Sequence, residues 1–206
     1  DSVNGASGAT GQNWETALNT ITAAVAKASA GDTIYCRGSF TEAVTVEVAG
    51  LRIIGCGTGP KEAQWTADAD AVALTISANY VEIANVYFKV PAYSAGTPAA
   101  IQIGGANYAK IHHCRFQGQT ASHQAIYSPV CDSDNVEISD CDFMYLNTPT
   151  YGAAILGVEA GGLSYSGWKI LRNTFNSCVT AVNINGRACR VEGNTFMEYG
   201  VNAAGS

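Results

Sequence analysis

The sequence is short of charge. Only 14% of its 206 residues are Asp, Glu, Lys or Arg, against about 25% in ordinary globular chains, which excludes a disordered tail and a charged coiled coil. Basic residues are the scarcer sign: 11 Lys+Arg against 17 Asp+Glu give a net charge of −6. They are scattered singly, so the electrostatic footprint of a nucleic-acid surface is missing. No apolar run approaches the roughly 18 residues of a membrane span, and Asp1 opens a polar stretch instead of a signal peptide, so the chain reads as mature and soluble. Neither a CxxC pair nor a Cys/His spacing of the zinc type occurs, and no cofactor is implied. What is abundant is apolar side chain, 47%, and glycine, 22 residues. Low charge with much glycine suits stacked repeats that cover one another, and neutral partners such as sugars or proteins.

The repeat is visible. Ala followed by a branched apolar residue recurs every 25 to 30 residues, as Ala43-Val44-Thr45-Val46, Ala73-Leu74-Thr75-Ile76, Ala100-Ile101-Gln102-Ile103, Ala125-Ile126-Tyr127, Ala154-Ile155-Leu156 and Ala181-Val182-Asn183-Ile184. Each is followed by a second motif, an apolar residue, a polar one, Ile or Val, a turn and usually Phe: Leu51 to Ile53, Val81 to Phe88, Ala109 to Phe116, Val136 to Phe143, Trp168 to Phe175 and Cys189 to Phe196. Short strands at period 2, repeated this way, predict a β-solenoid of about six coils.

Stacking at about 4.8 Å per coil makes the register testable. The polar position of the second motif runs Arg52, Glu82, Lys110, Glu137, Lys169, Arg190, and four of its five steps alternate in sign. Facing opposite charges stabilise neighbouring strands by about 0.2–1 kcal/mol per pair, so these charges are assigned to structure. Three residues beyond the Ile, the ladder Cys56, Val86, Cys114, Cys141, Asn173, Asn194 should point inward. Three of the seven cysteines thus share one internal stack, and buried thiols acting as small hydrophobes fit assembly in a reducing cytoplasm.

The ends need covers. Asn13 is placed to cap a helix over about 13–29, in which Trp14, Ala17, Leu18, Ile21, Val25 and Ala28 share one face. That helix, in residues 1–31, closes the first coil, the coils occupy 32–200, and 201–206 form a tail. Nothing comparable follows Phe196, so the last rung is expected to be covered by a partner or by further chain, which makes the 206 residues a fragment of a longer protein.

These residues carry a resemblance. The pattern V-x-I-x-x-N-x-F, here Trp168 to Phe175 and Cys189 to Phe196, resembles the coils of the pectate-lyase-like superfamily. The opening is similar too: Asp1 and Asn4-Gly5, then Trp14, Ala17, Thr20-Ile21 and Val25, then Gly31-Asp32-Thr33-Ile34-Tyr35 and Thr41-Glu42-Ala43-Val44. The resemblance implies an all-β, right-handed, single-stranded parallel β-helix with an N-terminal capping helix. Within the superfamily, free core thiols and the uncovered end make the chain most similar to tailspike-like β-helix proteins of phages and environmental viruses, located on a virion or outside the cell. That implies a structural or glycan-binding particle module, able to assemble laterally or as a trimer. The superfamily also holds polysaccharide hydrolases and lyases, so a polysaccharide-degrading enzyme is the alternative, and a solenoid without ligand the third.

Chemistry would have to lie on the surface. A hydrolase needs two carboxylates about 5–9.5 Å apart, and a calcium-dependent lyase several acids. The outward ladder Thr45, Thr75, Gln102, Tyr127, Leu156, Asn183 contains no acid, so no metal site is expected there. The turn after the second strand is richer, with Asn85, His113, Asp140, Arg172 in one ladder and Tyr87, Arg115, Asp142, Thr174 in another. Asp140 and Asp142, with His113 beside them, are the candidate catalytic group, and Arg115 and Arg172 candidate ligand contacts. Carboxylates neutralised by neighbouring cations make poor general acids, so the same residues also read as a charge ladder. His112 and His123 fall outside these ladders and read as surface residues. Asp132 and Asp134 read as an Asx-type turn. Bulges at 91–98, 117–124, 128–135, 146–152 and 159–167 bring Tyr93, Tyr145, Tyr151 and Tyr165, candidates for stacking on sugars or anchoring a subunit, with core filling or loop anchoring the more ordinary account of some of them.

Overall fold

A computed structural model describes residues 1–57, 63–68, 70–90, 99–118, 124–129, 132–146, 153–157 and 165–197. They form a right-handed parallel β-helix. Each coil is built around three strands, and equivalent strands of successive coils pair in parallel to make three long sheets, with a fourth of two short strands, Tyr165–Ser166 and Gly186–Arg187. Sheet A stacks Thr33–Cys36, Arg52–Gly55, Glu82–Ala84, Lys110–His112, Glu137–Ser139, Lys169–Leu171 and Arg190–Glu192. Sheet B stacks Gly38–Thr41, Ala63–Thr66, Tyr87–Lys89, Arg115–Gln117, Asp142–Met144, Thr174–Asn176 and Thr195–Met197. Sheet C stacks Val44–Val46, Leu74–Ile76, Ala99–Ile103, Gln124–Ser128, Ala153–Gly157 and Thr180–Ile184.

The charge ladder sits in the expected register: Arg52 pairs with Glu82, Glu82 with Lys110, Lys110 with Glu137, Glu137 with Lys169, and Lys169 with Arg190. So does the outward ladder of sheet C from Thr45 to Asn183. Sheet B was read from the sequence as a turn ending in Phe. Most of its strands are three residues long with a single inward aromatic, too short to show alternation, yet the inward aromatics build the core: Trp65, Phe88, Phe116, Phe143, Phe175 and Phe196 form a column of stacked rings with centroids 4.8–5.7 Å apart.

Between sheets A and B lies the expected internal ladder, and its last four members do the same work with different chemistry. Asn173 donates through Nδ2 to the Ile138 carbonyl at 3.0 Å, and Asn194 to that of Ile170 at 2.9 Å. One and two coils earlier the thiols of Cys141 and Cys114 reach the carbonyls of Ile111 and Ile83 at 3.7 and 3.8 Å. Each side chain thus satisfies a backbone acceptor of the preceding coil, which a buried carbonyl requires. Burial pushes the Cys36 thiol up to about 12 and the Cys178 thiol to about 11. Cys131 lies outside the described residues.

The cap is shorter than the helix expected over 13–29. Asn13 caps only a 3-10 turn, Trp14–Thr16, by accepting from the Thr16 amide. The α-helix, α1, starts afresh at Ile21–Lys27 behind Thr20, whose side chain accepts from the Ala23 amide. Glu42 of the first coil accepts from the Ile21 and Thr22 amides at 2.9 and 3.0 Å, so a carboxylate from the coil fixes where α1 begins. Ala17, Leu18 and Ile21 are buried as expected, whereas Trp14 is exposed beneath the Arg37 guanidinium.

Candidate functional site

The bend from sheet A into sheet B is one residue in the left-handed conformation, repeated coil after coil: Asn85, His113, Asp140, Arg172 and Gly193 have φ between 54° and 66°. The amides of the first four bond to the next coil's carbonyls at 2.9–3.3 Å, so the ladder continues through the bend. Left-handed backbone costs a non-glycine residue about 1–3 kcal/mol. It also turns these side chains out of the sheet, which places His113, half-buried Asp140 and Arg172 in one outward row.

Their partners differ from the carboxylate pair expected. Arg172 grips Asp140 with two bonds of 2.8 and 2.7 Å, and these hold the Asp140 carboxyl below the usual carboxylate range. Asp142, on sheet B, meets Arg115 at 3.3 Å. Each carboxylate therefore faces its own arginine, and no proton is shared between them.

The sequence treated His112 as an isolated surface residue; the register gives it partners. It lies two residues beyond Lys110, which pairs with Glu82, so His112 and Glu82 are diagonal neighbours on one face. His112 Nε2 stands 3.1 Å from Glu82 Oε1, and its Nδ1 stands 2.9 Å from His113 Nδ1. Arg52 holds the other side of Glu82 with bonds of 2.8 and 3.3 Å, and that contact is the main reason the Glu82 carboxyl lies below its usual range. An ionised Glu82 accepts from His112 Nε2–H. His112 Nδ1 is then a lone pair, which His113 Nδ1–H must fill, and His113 Nε2 is left as a basic lone pair on an exposed ring. Carboxylate, orienting imidazole and basic imidazole stand in series. Glu82 is taken by Arg52 and Glu137 by Lys169, so Lys110 between them keeps its ammonium unpaired among the described residues.

At the opposite edge of sheet A, a second left-handed bend carries Tyr80 and Tyr108 at φ 62° and 59°. Their rings stack at 4.9 Å and 5° while staying 60% and 46% exposed. A stacked pair returns about 0.5–1.5 kcal/mol, less than two strained tyrosines cost, so fold stability does not account for it. Neither residue stood out in the sequence, because each lies in a regular coil outside the long bulges.

The tyrosines taken from the bulges fare differently. Tyr165 is fully buried: its ring fills the space left by Gly157, where a Cβ would lie 2.5 Å from it, and its hydroxyl donates to the Ser128 carbonyl at 2.7 Å. It is a core residue, and the pairing of Ser128 with Gly157 in sheet C makes its room. Tyr145 is exposed, but at the bend after sheet B. Tyr93, Tyr151 and His123 lie outside the described residues. Asp132 and Asp134 accept from the Gly105 and Ser166 amides, bracing neighbouring coils.

No family model matches the sequence, and no curated protein does. Among solved structures, deglycosylated pectin methylesterase from Aspergillus niger superposes over 94% of this chain and 90% of its own, with a TM-score of 0.51 and 14% identity. Pectin methylesterase PemA from Erwinia chrysanthemi does so over 95% and 89%, with a TM-score of 0.51 and 12% identity. At such identity the likeness establishes the pectate-lyase-like β-helix fold as common ground, and it leaves the expected kinship with phage particle proteins without a counterpart in these two structures.

Proposed function

We propose that this chain engages a polysaccharide on the outer face of sheet A and modifies it hydrolytically. The observation that carries the proposal is the Glu82–His112–His113 series ending in an exposed imidazole nitrogen; the fold shared with pectin methylesterases supports the choice of substrate class. In an ester hydrolysis, His113 Nε2 removes a proton from water as the oxygen bonds to the ester carbonyl carbon. The positive charge formed on His113 is offset by Asp140 beside it and, through His112, by Glu82. Collapse of the tetrahedral adduct breaks the bond to the alkoxide, which takes the proton from His113 and leaves as the alcohol. Lys110, unpaired among the described residues, is a cation available to the developing oxyanion or to a substrate carboxylate.

A second reading, a glycan-binding module of a particle, is favoured by the arginine pairing of Asp140 and Asp142, which leaves no carboxylate pair for glycoside cleavage. One experiment separates the two: wild-type protein incubated with methyl-esterified pectin, acetylated xylan and unesterified controls, followed by proton release at constant pH. Proton release from the esterified polymers alone is expected. Binding without release would transfer the function to the second reading, and neither binding nor release would overturn both.

A further inference from the structure

We infer that the open face of Tyr80 is a sugar-stacking subsite for a pyranose unit of the polysaccharide; this rests on the reading above and deepens it. The left-handed bend ahead of sheet A is occupied, coil by coil, by Gly31, Gly50, Tyr80, Tyr108, Asn135, Gly167 and Ala188. Amide bonds of 2.8–3.2 Å join the first six to the carbonyls of the following coils, so the row is straight and its side chains are stacked. Tyr108 covers one face of Tyr80. The other face looks toward Gly50 and then Gly31, two successive coils without a side chain. A Cβ added at Gly50 would meet only the Gly31 backbone, at 3.5 and 3.6 Å, and one added at Gly31 would meet nothing within 4 Å.

The result is a recess two coils tall, about 9–10 Å at the usual strand spacing, floored by a flat aromatic ring. A sugar ring laid on that floor continues the stack that Tyr108 and Tyr80 begin, placing its C–H face on the ring and its hydroxyls at the rim. Polar groups stand at the rim to meet them. Arg52 and Glu82 lie two residues along the same strands, and Asn79, whose Oδ1 accepts from the Asn107 amide at 2.8 Å, is exposed beside Tyr80. His112 lies four positions beyond Tyr108, about 13 Å along a strand, and the seat beside Gly50 lies two coils before that strand, so a chain seated on Tyr80 runs obliquely across sheet A to reach His113. The platform thereby sets the direction of the bound polymer, oblique to the helix axis, as well as adding affinity.

The test is affinity electrophoresis through gels cast with methyl-esterified pectin, de-esterified pectin or a neutral glucan, comparing wild type with Tyr80→Gly, Tyr80→Phe and Tyr108→Ala. Glycine suits the left-handed bend, so Tyr80→Gly removes the ring without threatening the fold; an unchanged melting midpoint checks this. At least a tenfold loss of affinity is expected for Tyr80→Gly, a smaller loss for Tyr108→Ala, and retention within twofold for Tyr80→Phe. Wild-type retardation that Tyr80→Gly leaves intact would overturn the subsite while the polysaccharide reading stands. Loss of binding in Tyr80→Phe would overturn stacking as its basis. No retardation of wild type in any gel would overturn that reading and the subsite with it.

Discussion

His113→Asn is expected to lower the rate of ester hydrolysis by about 10²–10⁴-fold, the contribution of a positioned general base, while leaving the melting midpoint unchanged. Asparagine is the residue that the same bend carries one coil earlier, at Asn85 with φ 57°, so the backbone accepts it. It cannot serve as a base at neutral pH. If Glu82 orients the pair, Glu82→Gln reduces kcat by more than it raises KM, because a neutral amide no longer holds the His112 tautomer that passes Nδ1 to His113. A variant His113→Asn as fast as wild type, measured by proton release on the same polymer, would remove the imidazole from the chemistry.

Phe143→Ala is expected to destabilise the protein by about 3–5 kcal/mol, the usual cost of emptying a packed aromatic site, and to lower its melting midpoint by roughly 6–20 °C. Phe143 is fully buried, with Phe116 and Phe175 each at 4.8 Å. Coils touch only their neighbours, so a cavity there weakens both of its interfaces at once. Phe196, at the end of the same column, is 61% exposed and among the described residues stacks on one side only, so Phe196→Ala should cost about 1 kcal/mol, close to the value of a single aromatic pair. Equal losses for the two variants, in a denaturant titration, would contradict a column whose strength lies in its middle.

Much of the fold was legible because a coil repeats its own register. Once Arg52, Glu82 and Lys110 align, every inward Ile of sheet A and every outward residue of sheet C follows, and the Cys/Asn ladder falls into place as predicted. Sheet B was less legible, since one buried Phe per strand carries no alternation. For Tyr165 the sequence left sugar stacking and core filling side by side, and its burial, which bears out the latter, depends on Gly157 in the strand just before it and on Ser128, paired with Gly157 from the preceding coil. The site was half visible. His113, Asp140 and Arg172 came from the ladder itself, but the partner of His112 is diagonal, offset by two residues from the straight pairing, and straight ladders do not reveal it. Likewise the Tyr80 and Tyr108 bend is a feature of backbone handedness: nothing in the local sequence distinguishes a tyrosine at φ 62° from one on a strand.

The claim on which the account turns is that the outer face of sheet A receives the polymer. Hydroxyl-radical footprinting of the wild-type protein, with and without methyl-esterified pectin, reads this residue by residue. Protection is predicted at Tyr80, Tyr108, His112 and His113, with Tyr127 and Leu156 on the outer face of sheet C unaffected. Protection confined to sheet C, with those four residues as reactive as in the free protein, would contradict it.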